Sequence, residues 1–210
     1  RQRRWRLEAE FVRDVALELS GLLVHEKGGP SVKPFQPAGY WQHLNFPRRE
    51  WKPDEGASLY RKGLYTFWCR SFLHPAMLAF DAPSREECTT ERARSNIPQQ
   101  ALVLLNDPVF VEASRVFAQR IANQTGDLQA KLRWAWLEAM SRKITDQELE
   151  ILAGVYESQR VAYDSEKGSA TELLQVGAAP VPSGIDPGEL AAWTQVARTI
   201  LNAYETTSRN

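Results

Sequence analysis

The chain lacks most of what would announce a chemistry. Lys plus Arg number 26 and so do Asp plus Glu, so no net charge draws it toward nucleic acid or an anionic membrane. No apolar run approaches the ~20 residues of a membrane span, and no basic, apolar and small-residue succession opens it as a signal peptide would. There are only two cysteines. Cys69 and Cys88 form neither a CxxC pair nor the CxxCH of covalent haem attachment, and cannot hold a metal by themselves. They read as two separate thiols, with one disulfide as the alternative, because Cys69 falls in an apolar segment where a thiol packs well. His25, His43 and His74 have no neighbour at metal-ligand spacing, and no HExxH supports them, so no metal site is expected. They read as surface or capping histidines; His43 and His74 stay open as distant ligands to a haem held elsewhere. Gly28-Gly29 has no following Lys-Ser/Thr and reads as a helix stop rather than a P-loop. No nucleophile–base pair is visible either, so no catalytic residue can be named.

What is present suffices for a helical domain. With 43% hydrophobic residues over 210 positions, the chain can enclose one core. Leu7, Phe11, Val15, Leu19 and Leu22 recur at helical spacing with Glu8, Arg13, Asp14 and Glu18 between them, predicting an amphipathic helix of about five turns that Gly28-Gly29-Pro30 ends. Residues 28–57 hold Pro30, Pro34, Pro37, Pro47 and Pro53 among Tyr40, Trp41, Phe46 and Trp51. Proline removes helix and central strand, and the aromatics argue for an ordered loop. Leu59 to Phe72 is read as a helix, although Tyr65-Thr66-Phe67-Trp68 would also suit a strand. Helix starts are predicted at Pro75, at Asn96-Ile97-Pro98, at Asp107-Pro108, at Asp127, at the Thr145/Glu148 capping box and at Asp186-Pro187-Gly188-Glu189. The last opens a face of Trp193, Val196, Ala197, Ile200, Leu201 and Tyr204. Residues 164–185 turn to Gly, Ser, Ala and Pro and are expected to be a flexible excursion. The sum is an all-α fold, an irregular multi-helix bundle with a long proline- and aromatic-rich loop, spanning 1–210 as one helical domain.

Two sets of residues are candidates for function. Asp81, Arg85, Cys88, Arg92, Arg94 and Asn96 mark a dense polar segment between Phe80 and Pro98. It reads first as an architectural clasp, arginines forking onto carboxylates and helix-end carbonyls. The alternative is a polar pocket in which Arg92 or Arg94 receives an anion and Asp81 acts as acid or base. Trp41 and Trp51 are candidates for stacking a glycan, because aromatics on loops can stay exposed. Arg1, Arg3, Arg4 and Arg6 crowd the start and read as a solvated helix end rather than a nucleic-acid arm, since no aromatic-rich basic groove accompanies them. The chain opens without Met at the edge of a helical pattern and is expected to be a piece of something longer.

Several segments carry a resemblance. They include Arg3-Arg4-Trp5-Arg6-Leu7-Glu8-Ala9-Glu10, Gly28-Gly29-Pro30-Ser31-Val32, Leu64-Tyr65-Thr66-Phe67-Trp68 and Phe80-Asp81-Ala82-Pro83. Arg94-Ser95-Asn96, Pro98-Gln99-Gln100-Ala101-Leu102 and Leu104-Leu105-Asn106-Asp107-Pro108 complete the set. Together they resemble the C-terminal domain of unknown function of planctomycete-type cytochrome c proteins, of which this chain looks like the later two-thirds. Where that family often has Arg-Thr-Asn-Thr-Pro-Leu-Gln, this chain has Arg94-Ser95-Asn96-Ile97-Pro98-Gln99-Gln100, a departure at the helix start. The resemblance implies haem c in an upstream domain of a parent protein, none in this chain, and a periplasmic or extracellular location. It transfers no catalytic residue. The expectation is therefore a non-catalytic structural and interaction module packing on sister domains. The alternatives are part of an oxidoreductase or carbohydrate-active enzyme using the polar segment, or a module that binds polysaccharide.

Overall fold

The computed structural model describes residues 5–43, 50–70 and 72–209; Arg1, Arg3 and Arg4 of the basic start and Phe46 and Pro47 of the loop lie outside them. Among the described residues the fold is all-α, an irregular bundle of eight helices with one two-stranded ribbon. The helices are α1 (Ala9–Ser20), α2 (Pro75–Ala79), α3 (Pro98–Asn106), α4 (Pro108–Ala122), α5 (Leu128–Met140), α6 (Asp146–Ser165), α7 (Lys167–Leu174) and α8 (Pro187–Leu201). The ribbon pairs β1 (Trp5–Arg6) antiparallel with β2 (Ser208–Arg209), Trp5 facing Arg209.

Local chemistry fixes the starts of the long helices. Asp107 accepts the Val109 N–H to open α4, Asp127 that of Ala130 to open α5, and Asp186 that of Glu189 to open α8. Thr145 and Glu148 form the full capping box of α6. Pro75, Pro98, Pro108 and Pro187 occupy first turns, where a missing N–H costs nothing.

Helix α4 is the spine. Its later half gives Phe117, Ala118 and Ile121 to a core with Leu132 of α5, Leu152 of α6, and Leu190, Trp193, Val196 and Ile200 of α8. Its first half gives Val109, Phe110 and Ala113 to a second core with Val12 and Leu17 of α1, Met77, Phe80 and Leu104. Each large side chain so enclosed contributes about 1.5–3 kcal/mol. No described helix is long and apolar enough to cross a membrane.

Four sequence expectations are corrected. Helix α1 has three turns and stops at Gly21, whose left-handed backbone (φ +80°) lets its N–H reach Glu18; Gly28-Gly29-Pro30 lies beyond it. Its buried face runs through Ala9, Val12, Arg13, Ala16 and Leu17, so Phe11 is half exposed and Arg13 is enclosed. Among the described residues between Leu59 and Phe72 there is no α-helix; 3-10 turns at Gly56–Tyr60 and Gly63–Tyr65 are joined by parallel bridges from Arg61 to Val24 and from Thr66 to Val32. An α-helix there would join the Leu59 carbonyl to the Gly63 N–H. Arg13 takes that carbonyl (2.6 Å) and the Asp14 carboxylate takes that N–H (2.6 Å). Residues 164–185, expected to be a flexible excursion, contain the end of α6 and all of α7, whose Ala170 and Leu174 are buried, and a strap that Glu112 and Arg115 of α4 hold. Finally, α8 ends at Leu201, leaving Tyr204 off its face and 45% exposed.

Candidate functional site

The polar segment leaves α2 through Asp81, whose backbone takes the left-handed region (φ +60°), an uncommon conformation for a non-glycine residue. The Asp81 carboxylate accepts the Ser95 N–H at 2.6 Å and the Ser95 hydroxyl at 2.8–2.9 Å, closing the neck of the excursion between them. Arg85 lies over the Trp68 ring at 4.1 Å, while the Trp68 indole N–H donates to the Ser84 carbonyl at 3.0 Å. Arg92 joins Glu10 at 2.8 Å and Glu8 at 3.0 Å, and these acids raise its pKa further above the ordinary range. Arg94 stacks on Trp5 at 4.2 Å. The Asn96 carbonyl oxygen accepts from Arg6 at 3.0 Å, and Arg6 also donates to Gln100, which is buried and reaches back to Ser95. Cys88 is exposed at the outer part of the excursion and is not bridged to the half-buried Cys69.

The fold thus sets Asp81, Arg92, Arg94 and Asn96 along one edge beside β1 and α1, with Arg85 and Cys88 farther out. Asp81, Arg92 and Arg94 share a void of about 10 Å³, well under the ~300 Å³ at which ligand sites begin. Arg94 and Asn96 also line a hollow of about 310 Å³. Both Asp81 oxygens are engaged by Ser95, and Arg92 is neutralised twice. These contacts tie the segment to Ser95 and to α1.

Trp41 and Trp51 line one hollow of about 320 Å³ together with Gln36, Tyr40 and Pro53. Trp41 is buried and stacks on Trp51 at 5.3 Å, and its edge contact with Phe72 is also at 5.3 Å. Trp51 meets Phe67 and His74, and the two indole N–H groups donate to Gln36 and to the Pro34 carbonyl. This aromatic packing fastens the proline-rich loop. His74 is buried, with Nε2 against the Phe35 carbonyl at 2.9 Å; the side chain of His43 lies outside the described residues.

Two polar clusters escaped sequence reading. In the first, Arg13, His74 and Asp107 line an enclosed cavity of about 10 Å³ between α1, α2 and α4. Burial lowers the Arg13 guanidinium to about 10, lowers His74 to about 4 and lifts the Asp107 carboxyl to about 6. In the second, the buried Glu112 accepts from the Tyr60 hydroxyl (2.8 Å) and from the N–H groups of Ala178 (2.6 Å) and Ala179 (2.5 Å). Arg115, equally buried, donates to the carbonyls of Ala179 and Pro180. Burial and the Glu112 carboxylate push the Tyr60 phenol up. Charged residues three apart on α4 were the available signal, but their partners lie 52 positions upstream, at Tyr60, and more than 60 downstream, at Ala178 to Pro180.

A family model described as PSD1, protein of unknown function (DUF1553), matches residues 1–156. No curated protein and no solved structure matches the chain.

Proposed function

The chain belongs to the PSD1 family of proteins of unknown function (DUF1553), and from that premise we propose that it is a non-catalytic structural and interaction module of a larger extracytoplasmic, haem c-associated protein. The observation that carries the non-catalytic part is the clasp: Asp81 on Ser95, Arg92 on Glu8 and Glu10, Arg85 on Trp68, Arg94 on Trp5 and Asn96 on Arg6. Groups so engaged fasten an irregular segment to a bundle. The haem association and the periplasmic or extracellular location rest on the sequence resemblance alone, with the haem in an upstream domain of the parent. A face for a sister domain is supported by Phe11 on α1, Leu64 on the turn packed against α1, and Leu78 on α2, each more than half exposed.

The test uses the full-length parent in its native host. Covalent haem should stain on a denaturing gel in the extracytoplasmic fraction, and this chain, expressed separately, should bind the remainder of the parent in sedimentation velocity. Phe11→Ser with Leu64→Ser should weaken that association. Absence of covalent haem or of association would refute the reading. So would a parent activity abolished by Asp81→Asn or Arg92→Gln at unchanged thermal stability.

A further inference from the structure

We propose that the cleft between the β1–β2 ribbon, the start of α3 and the turn after α8 binds an acidic saccharide, a sugar ring bearing a carboxylate or sulfate. Two adjoining hollows of about 390 and 310 Å³ open there and share Arg6, Asn96 and Tyr204. Their size falls in the range of small-ligand sites, unlike the void behind Asp81.

The cleft presents cations held in advance. Asp81 fixes Ser95, Ser95 accepts from the amide of Gln100, and the buried Gln100 with Asn96 positions the Arg6 guanidinium. Both partners of Arg6 are neutral amides, so neither offsets its charge, and its remaining N–H donors can meet an oxyanion. Arg94, held flat on Trp5, adds a second guanidinium. Among the described residues no carboxylate lies within ion-pair distance of Arg6 or Arg94, whereas Arg92 alongside carries two. Glu91 is the carboxylate in the lining, and it is exposed.

The other walls are apolar. Tyr204 is 45% exposed, Ile97 40%, and Trp5, which carries Arg94 on its ring, 47%. Flat apolar surface beside amides and paired guanidiniums matches the apolar face, hydroxyls and acid group of a charged pyranose. A nucleic acid would need a longer basic track than Arg6 and Arg94 in the lining, where Glu91 adds a negative charge beside them. The inference stands apart from the haem reading and concerns a different face from Trp41 and Trp51.

Isothermal titration of the whole chain would compare trigalacturonate, a sulfated galactan tetrasaccharide, neutral cellotriose and a tetraglutamate peptide. At least one acidic saccharide should bind, with cellotriose and tetraglutamate each weaker by about tenfold. Arg94→Gln and Tyr204→Ala should each weaken the acidic saccharide by up to about tenfold at unchanged melting temperature, as expected for losing one charge-assisted bond or one stacking plate. No heat with either acidic saccharide at millimolar concentration would overturn the proposal. Equal binding of tetraglutamate would reduce the cleft to a general anion site, and affinity indifferent to both substitutions would place the ligand elsewhere.

Discussion

His74 and Asp107 face one small cavity and should work against each other as pH falls. For Asp107 burial dominates, raising the carboxyl from 3.8 to about 6 against the Val109 N–H and the Arg13 charge. The folded chain therefore holds that proton more tightly than the unfolded chain. Its stabilising contribution is complete below 3.8 and disappears as pH rises through 6. For His74 burial again dominates, lowering the ring from 6.5 to about 4 with Arg13 adding to the effect and the Phe35 carbonyl opposing it. Here the unfolded chain holds the proton more tightly, so the contribution is complete above 6.5 and disappears as pH falls through 4. Each displacement corresponds to about 3 kcal/mol, and over the shared window the two slopes nearly cancel. His74→Gln keeps a donor for Phe35 and removes one slope. Relative to the parent chain it should gain about 2 kcal/mol on going from pH 7 to 4.5. Asp107→Asn keeps the helix cap and should lose a similar amount over the same interval. Urea titrations followed by circular dichroism at four pH values would measure both. Variants whose stability runs parallel to the parent across the window would refute the reasoning.

A methyl group at Gly177 would run into the Glu112 carboxylate while the backbone sits at φ +96°, so Gly177→Ala should cost about 2–4 kcal/mol and lower the calorimetric melting temperature. An unshifted transition would mean the strap is not gripped as described. Arg92→Ala removes a partly exposed pair of bridges and should cost under about 1 kcal/mol globally, yet hydrogen exchange across residues 84–96 should accelerate. Unchanged protection there would contradict the clasp. Truncation after Tyr156, where the family match ends, removes Leu190, Trp193, Val196 and Ile200 from the core around α4. At about 1.5–3 kcal/mol each this loss rivals the whole stability of a domain, and cooperative unfolding of residues 1–156 would disprove it.

What the sequence disclosed follows the reach of its interactions. Asp107, Asp127, Thr145 and Asp186 act on N–H groups two or three residues away, and each helix start was legible for that reason. The α4 and α8 faces were legible too, because a 3.6-residue period is local. The Leu59–Phe72 segment was misread because its carbonyls and N–H groups bond to Arg13 and Asp14 nearly 50 positions earlier. Residues 175–185 looked loose because Glu112 and Arg115, far upstream, hold them. The same limit governs the candidate sites. The partners of Arg92 and Asn96 sit 82 and 90 positions away, so composition could announce a polar segment but not which groups it would engage.

The equal count of acids and bases conceals a division of labour among the arginines. Arg92, Arg142 and Arg160 meet carboxylates at the surface. Arg13, Arg61, Arg115, Arg120 and Arg198 donate to main-chain carbonyls of loops, turns and helix ends, and Arg120 also meets Glu138 at the surface. A bundle threaded with long irregular segments has many carbonyls that no helix or sheet ladder can satisfy, and leaving them buried and bare is costly. A planar guanidinium meets two at once, as Arg13 does for Leu59 and Arg61 and Arg115 for Ala179 and Pro180, and its charge is more weakly hydrated than an ammonium. Arg13 falls at a position that helical periodicity assigns to solvent, yet it is the peg on which the 3-10 turns hang. Lysine at that position would carry the same charge and lack the two-pronged geometry, which makes shape rather than charge the property the fold uses there.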